Sequence, residues 1–258
     1  MRLLFGLLLA VTSLPAWAIT TEEVSYKEGK ESFKGFLALP DTKGPRPAVI
    51  IVHEWWGHNE YVRNRAKQLA EMGYTAFALD MYGDGKTAGH PKQAGEFAGK
   101  VNSDMPRAKR RFEAAMNIVK QQPGVEGNIA AIGYCFGGGV VLNMARMGIP
   151  LKGVVSFHGS LASTVQAKPG QTKAKVLVLN GADDPFVKKE HIAAFKKEMQ
   201  DAKVDFQFID YDGAVHAFTN PGATALGKKF KLPLAYDKDA DKKSWAKMKD
   251  FLASAFAN

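Results

Sequence analysis

A single cysteine, an aspartate pair and a histidine occur in that order along the second half of the chain: Cys135, Asp183 with Asp184, and His216. Together these side chains can open a carbonyl bond. A thiolate attacks carbon, an imidazole takes up and returns the proton, and a carboxylate fixes the imidazole tautomer and stabilises its cation. Cys135 lies in Gly133-Tyr134-Cys135-Phe136-Gly137-Gly138-Gly139. This G-x-C-x-G spacing is the sulfur version of the G-x-S-x-G nucleophile elbow, whose oxyanion hole uses the backbone N–H of the next residue, here Phe136. A helix N-terminus beneath the sulfur favours a thiolate relative to free cysteine, whose pKa is about 8.5. Each residue also has a plainer use: a lone cysteine fills cores, an Asp-Asp-Pro run caps helices, and a loop histidine makes local hydrogen bonds.

The choice between these uses depends on where the elements place the residues. Residues 127–132 read as a short buried strand entering the elbow, and Val140 to Arg146 as the helix leaving it. Upstream, Glu22 to Tyr26 and Ser32 to Leu39 alternate apolar and polar residues around Lys27-Glu28-Gly29-Lys30, which predicts an N-terminal antiparallel hairpin. Ala48 to Val52 is a continuous apolar run, as expected of a parallel strand buried on both faces, and Tyr74 to Asp80 reads as the next buried strand. Helical patterns cover about 60–71, 92–101, 106–121, 188–200 and 239–256, and further strands about 154–157, 176–179 and 204–211. The alternation predicts an α/β fold, a mostly parallel central sheet with helices on both faces and the hairpin at its start.

Cys135, the aspartates and His216 then fall at the carboxyl ends of three separate strands, where ligands of such sheets bind. Nucleophile, acid, histidine is the chain order of the α/β-hydrolase triad. The reading is a carboxylic ester or lactone hydrolase acting through an acyl-thioester on Cys135. The alternative is a non-catalytic ligand-binding protein on the same scaffold. A thiol-exchange role is disfavoured because no C-x-x-C pair is present. The run Gly85-Lys86-Thr87 lacks the earlier glycine of a phosphate-binding loop, since Asp80 stands there.

The chain has 258 residues, of which 46% are hydrophobic and 24% charged, enough for one large domain over 19–258. Residues 1–18 stand apart: Arg2, an apolar run from Leu3 to Leu14, and Ala16-Trp17-Ala18 fit a signal peptide cleaved after Ala18. The run is shorter than the ~20 residues a spanning helix needs. The expectation is a periplasmic or secreted protein with no membrane insertion once the signal is removed. Loss of Arg2 takes the net charge from +9 to +8. The lysines are dispersed and form no stripe interleaved with aromatics, so no nucleic-acid partner is expected. A monomer, with neither cofactor nor metal, completes the expectation.

Four segments taken together resemble the dienelactone hydrolase family: His53-Glu54-Trp55-Trp56-Gly57, the elbow from Gly133 to Gly138, Gly181-Ala182-Asp183-Asp184-Pro185-Phe186-Val187, and His216-Ala217-Phe218. The likeness runs from about residue 22 to the C-terminal helix. It implies an α/β-hydrolase fold with a Cys-Asp-His triad, aligns the acid with Asp184 and leaves Asp183 as the fallback. It also implies that Glu54 takes part in activating the cysteine and that the backbone N–H of Trp55 joins Phe136 as an oxyanion donor. Members that cleave dienelactone hold its carboxylate with arginines, one just after the histidine segment and one before the elbow. Here the first place holds Thr219 and Asn220, and no arginine occurs between Arg65 and Arg107. Lys86 and Lys92 are the cations nearest to filling that role. Trp55, Trp56, Tyr82 and Phe218 are the candidate walls of an apolar substrate pocket.

Overall fold

The computed structural model describes residues 18–257. The signal-peptide expectation therefore lies outside the described residues except at Ala18, whose carbonyl accepts a hydrogen bond from Asp41 N–H at 2.8 Å. The hairpin forms from β1 (Ile19–Glu28) and β2 (Glu31–Pro40), paired antiparallel along their whole length. Both strands are longer than the alternation alone predicts. The chain then runs through β3 (Ala48–Val52), α1 (Glu60–Glu71), β4 (Thr75–Leu79), α2 (Pro91–Asn102) and α3 (Met105–Lys120). β5 (Ile129–Tyr134) leads through the elbow into α4 (Phe136–Arg146), and β6 (Gly153–Phe157), β7 (Lys175–Gly181), α5 (Lys189–Asp201) and β8 (Phe206–Tyr211) follow. Two helices, α6 (Ala223–Phe230) and α7 (Lys238–Phe256), close the chain.

All eight strands join one sheet in the order β1-β2-β4-β3-β5-β6-β7-β8, parallel from β4 to β8. Successive strand side chains point to opposite faces, so each apolar run feeds two cores. In β3, Val49 and Ile51 pack under α1 and α7 with Leu69, Met248 and Leu252. Ile50 and Val52 pack on the other side with Phe112 of α3 and Val141 of α4. Helix starts are fixed by side-chain caps: Asn59 accepts from Tyr61 N–H, Asp104 from Arg107 N–H, and Asp237 from the N–H groups of Asp239 and Ala240. This is the α/β-hydrolase architecture that the strand and helix patterns predict.

The short helix α6 is not anticipated by the sequence. Its eight residues carry Gly227 and two lysines, too brief a run for a 3.6-residue period to register. Gly227 is needed because a Cβ there would meet the backbone carbonyl of Leu234, on the segment that pairs with His216.

Candidate active site

Register brings the chemistry together. Val52 of β3 is level with Gly133 of β5, Tyr134 with Phe157 of β6, and Phe157 with Leu179 of β7. The residues that leave these strands, His53-Glu54, Cys135, His158 and the 181–184 turn, therefore emerge side by side at one edge. His216 reaches the same edge from the loop after β8.

Cys135 joins β5 to α4 with φ 53° and ψ −117°, a left-handed conformation that costs a non-glycine residue about 1–3 kcal/mol. Its own backbone holds it there. The N–H donates to the Phe157 carbonyl at 3.0 Å and to His158 Nδ1 at 3.2 Å. The carbonyl accepts from the N–H groups of Gly138 and Gly139 at 3.0 and 3.3 Å. Small neighbours are obligatory: a Cβ on Gly133 would strike the Gly137 carbonyl, and one on Gly137 would strike the carbonyls of Val52 and His53. The N–H of Phe136 is the first of α4 and has no acceptor within its own helix.

Opposite the sulfur, His216 Nε2 lies 3.0 Å from Cys135 Sγ, and His216 Nδ1 lies 2.7 Å from Asp184 Oδ2. The carboxylate takes the Nδ1 proton, so Nε2 faces the thiol. Asp184 is buried and is held by a second bond, Phe186 N–H to Oδ1 at 2.9 Å. Asp183 is exposed, and its backbone N–H donates to the Ala214 carbonyl at 3.0 Å. Burial disfavours the His216 cation. The charge of a Cys135 thiolate and the hydrogen bonds from Asp184 and the sulfur outweigh it, and the imidazole pKa rises to about 10.

Glu54 is buried beside this group and bonds to Asn220, whose Nδ2 donates to Oε2 at 2.6 Å. Desolvation raises its carboxyl to about 7 against the opposing effects of Asn220, His216 and Arg65. Thr219 is also engaged. Its hydroxyl lies 2.7 Å from both His158 Nε2 and the Tyr61 hydroxyl, and its carbonyl accepts from Arg65 Nη2 at 2.7 Å. The first of the two places where an arginine clamp is missing, held by Thr219 and Asn220, thus belongs to the scaffold of Cys135 and Glu54. His158 escaped the sequence reading, although a histidine ending the strand next to the elbow strand is a position from which it could have been found. Because Nδ1 accepts from Cys135, the proton sits on Nε2, and burial pushes the pKa well below the ordinary histidine value.

Over the sulfur lies a cavity of about 250 Å³, walled by Trp55, Phe136, Phe186, Val187, His216 and Leu234. Three expected wall residues lie elsewhere. Trp56 meets the edge of Trp55 at 5.1 Å between ring centroids but itself stacks on Phe230 in a small separate core, and it does not line the cavity. Tyr82 packs on Phe136 and Phe97 while its hydroxyl donates to the Trp55 carbonyl at 3.0 Å, which supports the wall from behind. Phe218 is fully buried against His158 and Tyr211. Lys86 pairs with Asp84 and Lys92 is exposed on α2, and neither reaches the cavity. Among the described residues no group of three or more His, Cys, Asp or Glu side chains is arranged to hold a metal ion, and no helix is long and apolar enough to cross a membrane.

Comparison with known proteins agrees with this architecture. A dienelactone hydrolase-like promiscuous phosphotriesterase from metagenomic libraries is 34% identical, with a TM-score of 0.84 over 92% of this chain and 99% of that one. A putative carboxymethylenebutenolidase of Aquifex aeolicus is 27% identical over 203 residues, 76% of this chain and 86% of that protein. The carboxymethylenebutenolidase of Pseudomonas putida is 28% identical over 173 residues, 65% of this chain and 73% of that enzyme. The dienelactone hydrolase family model matches residues 33–256, so the chain is a hydrolase belonging to the dienelactone hydrolase family.

Proposed function

We propose that the protein hydrolyses carboxylic esters or lactones through an acyl-thioester on Cys135, with His216 as proton carrier and Asp184 as its orienting acid. The observation that carries this reading is the continuous chain from Sγ through His216 to Asp184, at 3.0 and 2.7 Å. Cys135 Sγ adds to the carbonyl carbon, and the oxyanion takes hydrogen bonds from the N–H groups of Phe136 and Trp55. Collapse expels the alcohol oxygen, which takes a proton from His216 Nε2 and leaves a thioester. Water then adds, giving its proton to Nε2. The second collapse breaks the C–S bond, releasing the carboxylic acid and restoring the thiolate–imidazolium pair.

Glu54, with its raised pKa, is the group suited to exchange a proton with this pair as substrate enters. Relatives named for carboxymethylenebutenolide hydrolysis support the substrate class. The N-terminal signal pattern supports export. Cys135→Ala should abolish turnover of 4-nitrophenyl acetate while leaving the circular dichroism spectrum intact, and wild type mixed briefly with that ester should carry one acyl group on Cys135 by mass spectrometry. Turnover that survives the substitution rejects the assignment.

A further inference from the structure

The apolar cavity above Cys135 does not end at its own walls. Asn102, Phe136 and Ser160 line it and also line a second, larger space of about 460 Å³. The two spaces differ in chemistry. The first is closed by Trp55, Phe186, Val187 and Leu234, whereas Asn143, Ser163 and Thr164 join Asn102 and Ser160 in the second.

Several of these polar groups retain hydrogen-bonding capacity. The side chains of Asn102, Ser160 and Thr164 are exposed and have no hydrogen-bond partner among the described residues. Ser163 Oγ accepts from Val165 N–H, which leaves its proton free to donate. Asn143 is more committed, since its Oδ1 accepts from Arg146 Nη1 and its Nδ2 contacts Met105 Sδ. No lysine, arginine, aspartate or glutamate lines either space. A charged group in the second space would find no counter-ion among its lining residues, the one cationic side chain of the first being His216. A neutral group rich in hydroxyls would meet donors and acceptors alike.

From this we infer that the second space is a subsite for a neutral, hydroxyl-bearing half of the ester, while the cavity at the sulfur takes a short apolar half. The inference rests on the esterase reading and narrows its substrate class. Such a substrate carries no carboxylate on either side of the scissile bond. The hydroxylated half is either the alcohol or the acyl group, and both deliver the same chemistry to the chamber.

Matched pairs of esters followed by alkali uptake test it. Glycerol 1-monoacetate is compared with propyl acetate, and ethyl 3,4-dihydroxybutyrate with ethyl butyrate. Monoethyl succinate is the anionic control. At least one hydroxylated ester should exceed its parent by tenfold or more in kcat/KM, corresponding to about 1.4 kcal/mol, and the succinate ester should show no preference. The pair that responds identifies which half enters the chamber.

Ala162→Trp and Thr164→Trp, each placing an indole in the chamber from an exposed loop position, should erase that preference by raising KM for the hydroxylated ester. Turnover of 4-nitrophenyl acetate should be unchanged in at least one of the two, and this also reports that the variant has folded. A wild type that cleaves the simple esters with no hydroxyl preference, or that favours monoethyl succinate, overturns the subsite and leaves the esterase reading standing. So do two variants that both fold and both keep the preference. A wild type inert toward every ester overturns both.

Discussion

His216 stands between two groups that each prefer it protonated. Asp184 accepts its Nδ1 proton at 2.7 Å, and Cys135 lies 3.0 Å from Nε2, which together hold the imidazole near pKa 10 against the opposing effect of burial. Under the proposed mechanism the leaving alcohol needs the protonated form. The alkaline limb of the kcat/KM profile should therefore fall as pH approaches 10. Asp184→Asn removes one of the two supports, so the alkaline fall should move to lower pH and kcat should drop by about two to four orders of magnitude. Asp183→Asn should change neither, because that side chain is exposed and the imidazole's carboxylate partner is Asp184. A profile unchanged in Asp184→Asn would refute the assigned role. Sequence spacing narrowed the acid to two neighbours, and family register favoured the second. The turn that closes from Asp184 N–H to the Gly181 carbonyl is what aims one carboxylate inward. The same limit explains Trp55 and Trp56: residue type marks both as wall candidates, but in the turn they share Trp55 lines the cavity while Trp56 packs behind it against Phe230.

The β5–elbow–α4 unit works only because its glycines let backbone touch backbone. The fit gives opposite signs for one chemical change at two sites. Gly137→Ala drives a methyl group into the carbonyls of Val52 and His53, which belong to the sheet and cannot yield. A loss of about 1–3 kcal/mol is expected from such overpacking, with a fall of several degrees in Tm and loss of esterase activity as the elbow shifts. Gly95→Ala, in the middle of α2 with nothing within 4 Å, should stabilise by about 0.5–1 kcal/mol and leave turnover unchanged. Equal effects at both sites, read by thermal melts, would contradict the close packing. Strands and long helices were legible in the sequence because apolar runs and 3.6-residue periods are local signals. What stayed hidden is relational. His158 sits beside Cys135 only through the β5–β6 register, Asn220 meets Glu54 across 166 residues, and α6 is too short to show a period.

For the molecule as a whole, the buried ionisable groups pull stability in opposite directions along the pH scale. His53 is fully buried and neutral, its Nδ1 proton given to the Glu54 carbonyl and its Nε2 accepting from Met81 N–H, and desolvation lowers its pKa to about 4. His58 and His158 are shifted the same way by burial. Their folded pKa values lie below the unfolded value of about 6.5, so the unfolded chain binds more protons and stability is lost as pH falls from there. Glu54 has the opposite sign. Its folded pKa of about 7 exceeds the unfolded value near 4.5, so its contribution is fully present below pH 4.5 and is lost as pH rises through 7. His216 likewise loses its contribution as pH rises from about 6.5 towards 10. Three histidines oppose one glutamate on the acid side, and nothing among these five groups offsets Glu54 and His216 on the alkaline side. Unfolding free energy measured in urea should therefore peak near pH 6–7. Glu54→Gln isolates one contribution, because the amide oxygen still accepts from Asn220 and no charge remains to bury. Its stability relative to wild type should rise between pH 4.5 and 7 and level off at a gain of up to about 3 kcal/mol by pH 8. A difference that is constant across that range would mean that Glu54 is ionised in the native protein at acid pH as well, and the buried, protonatable carboxyl required for its part in the chemistry would be lost with it.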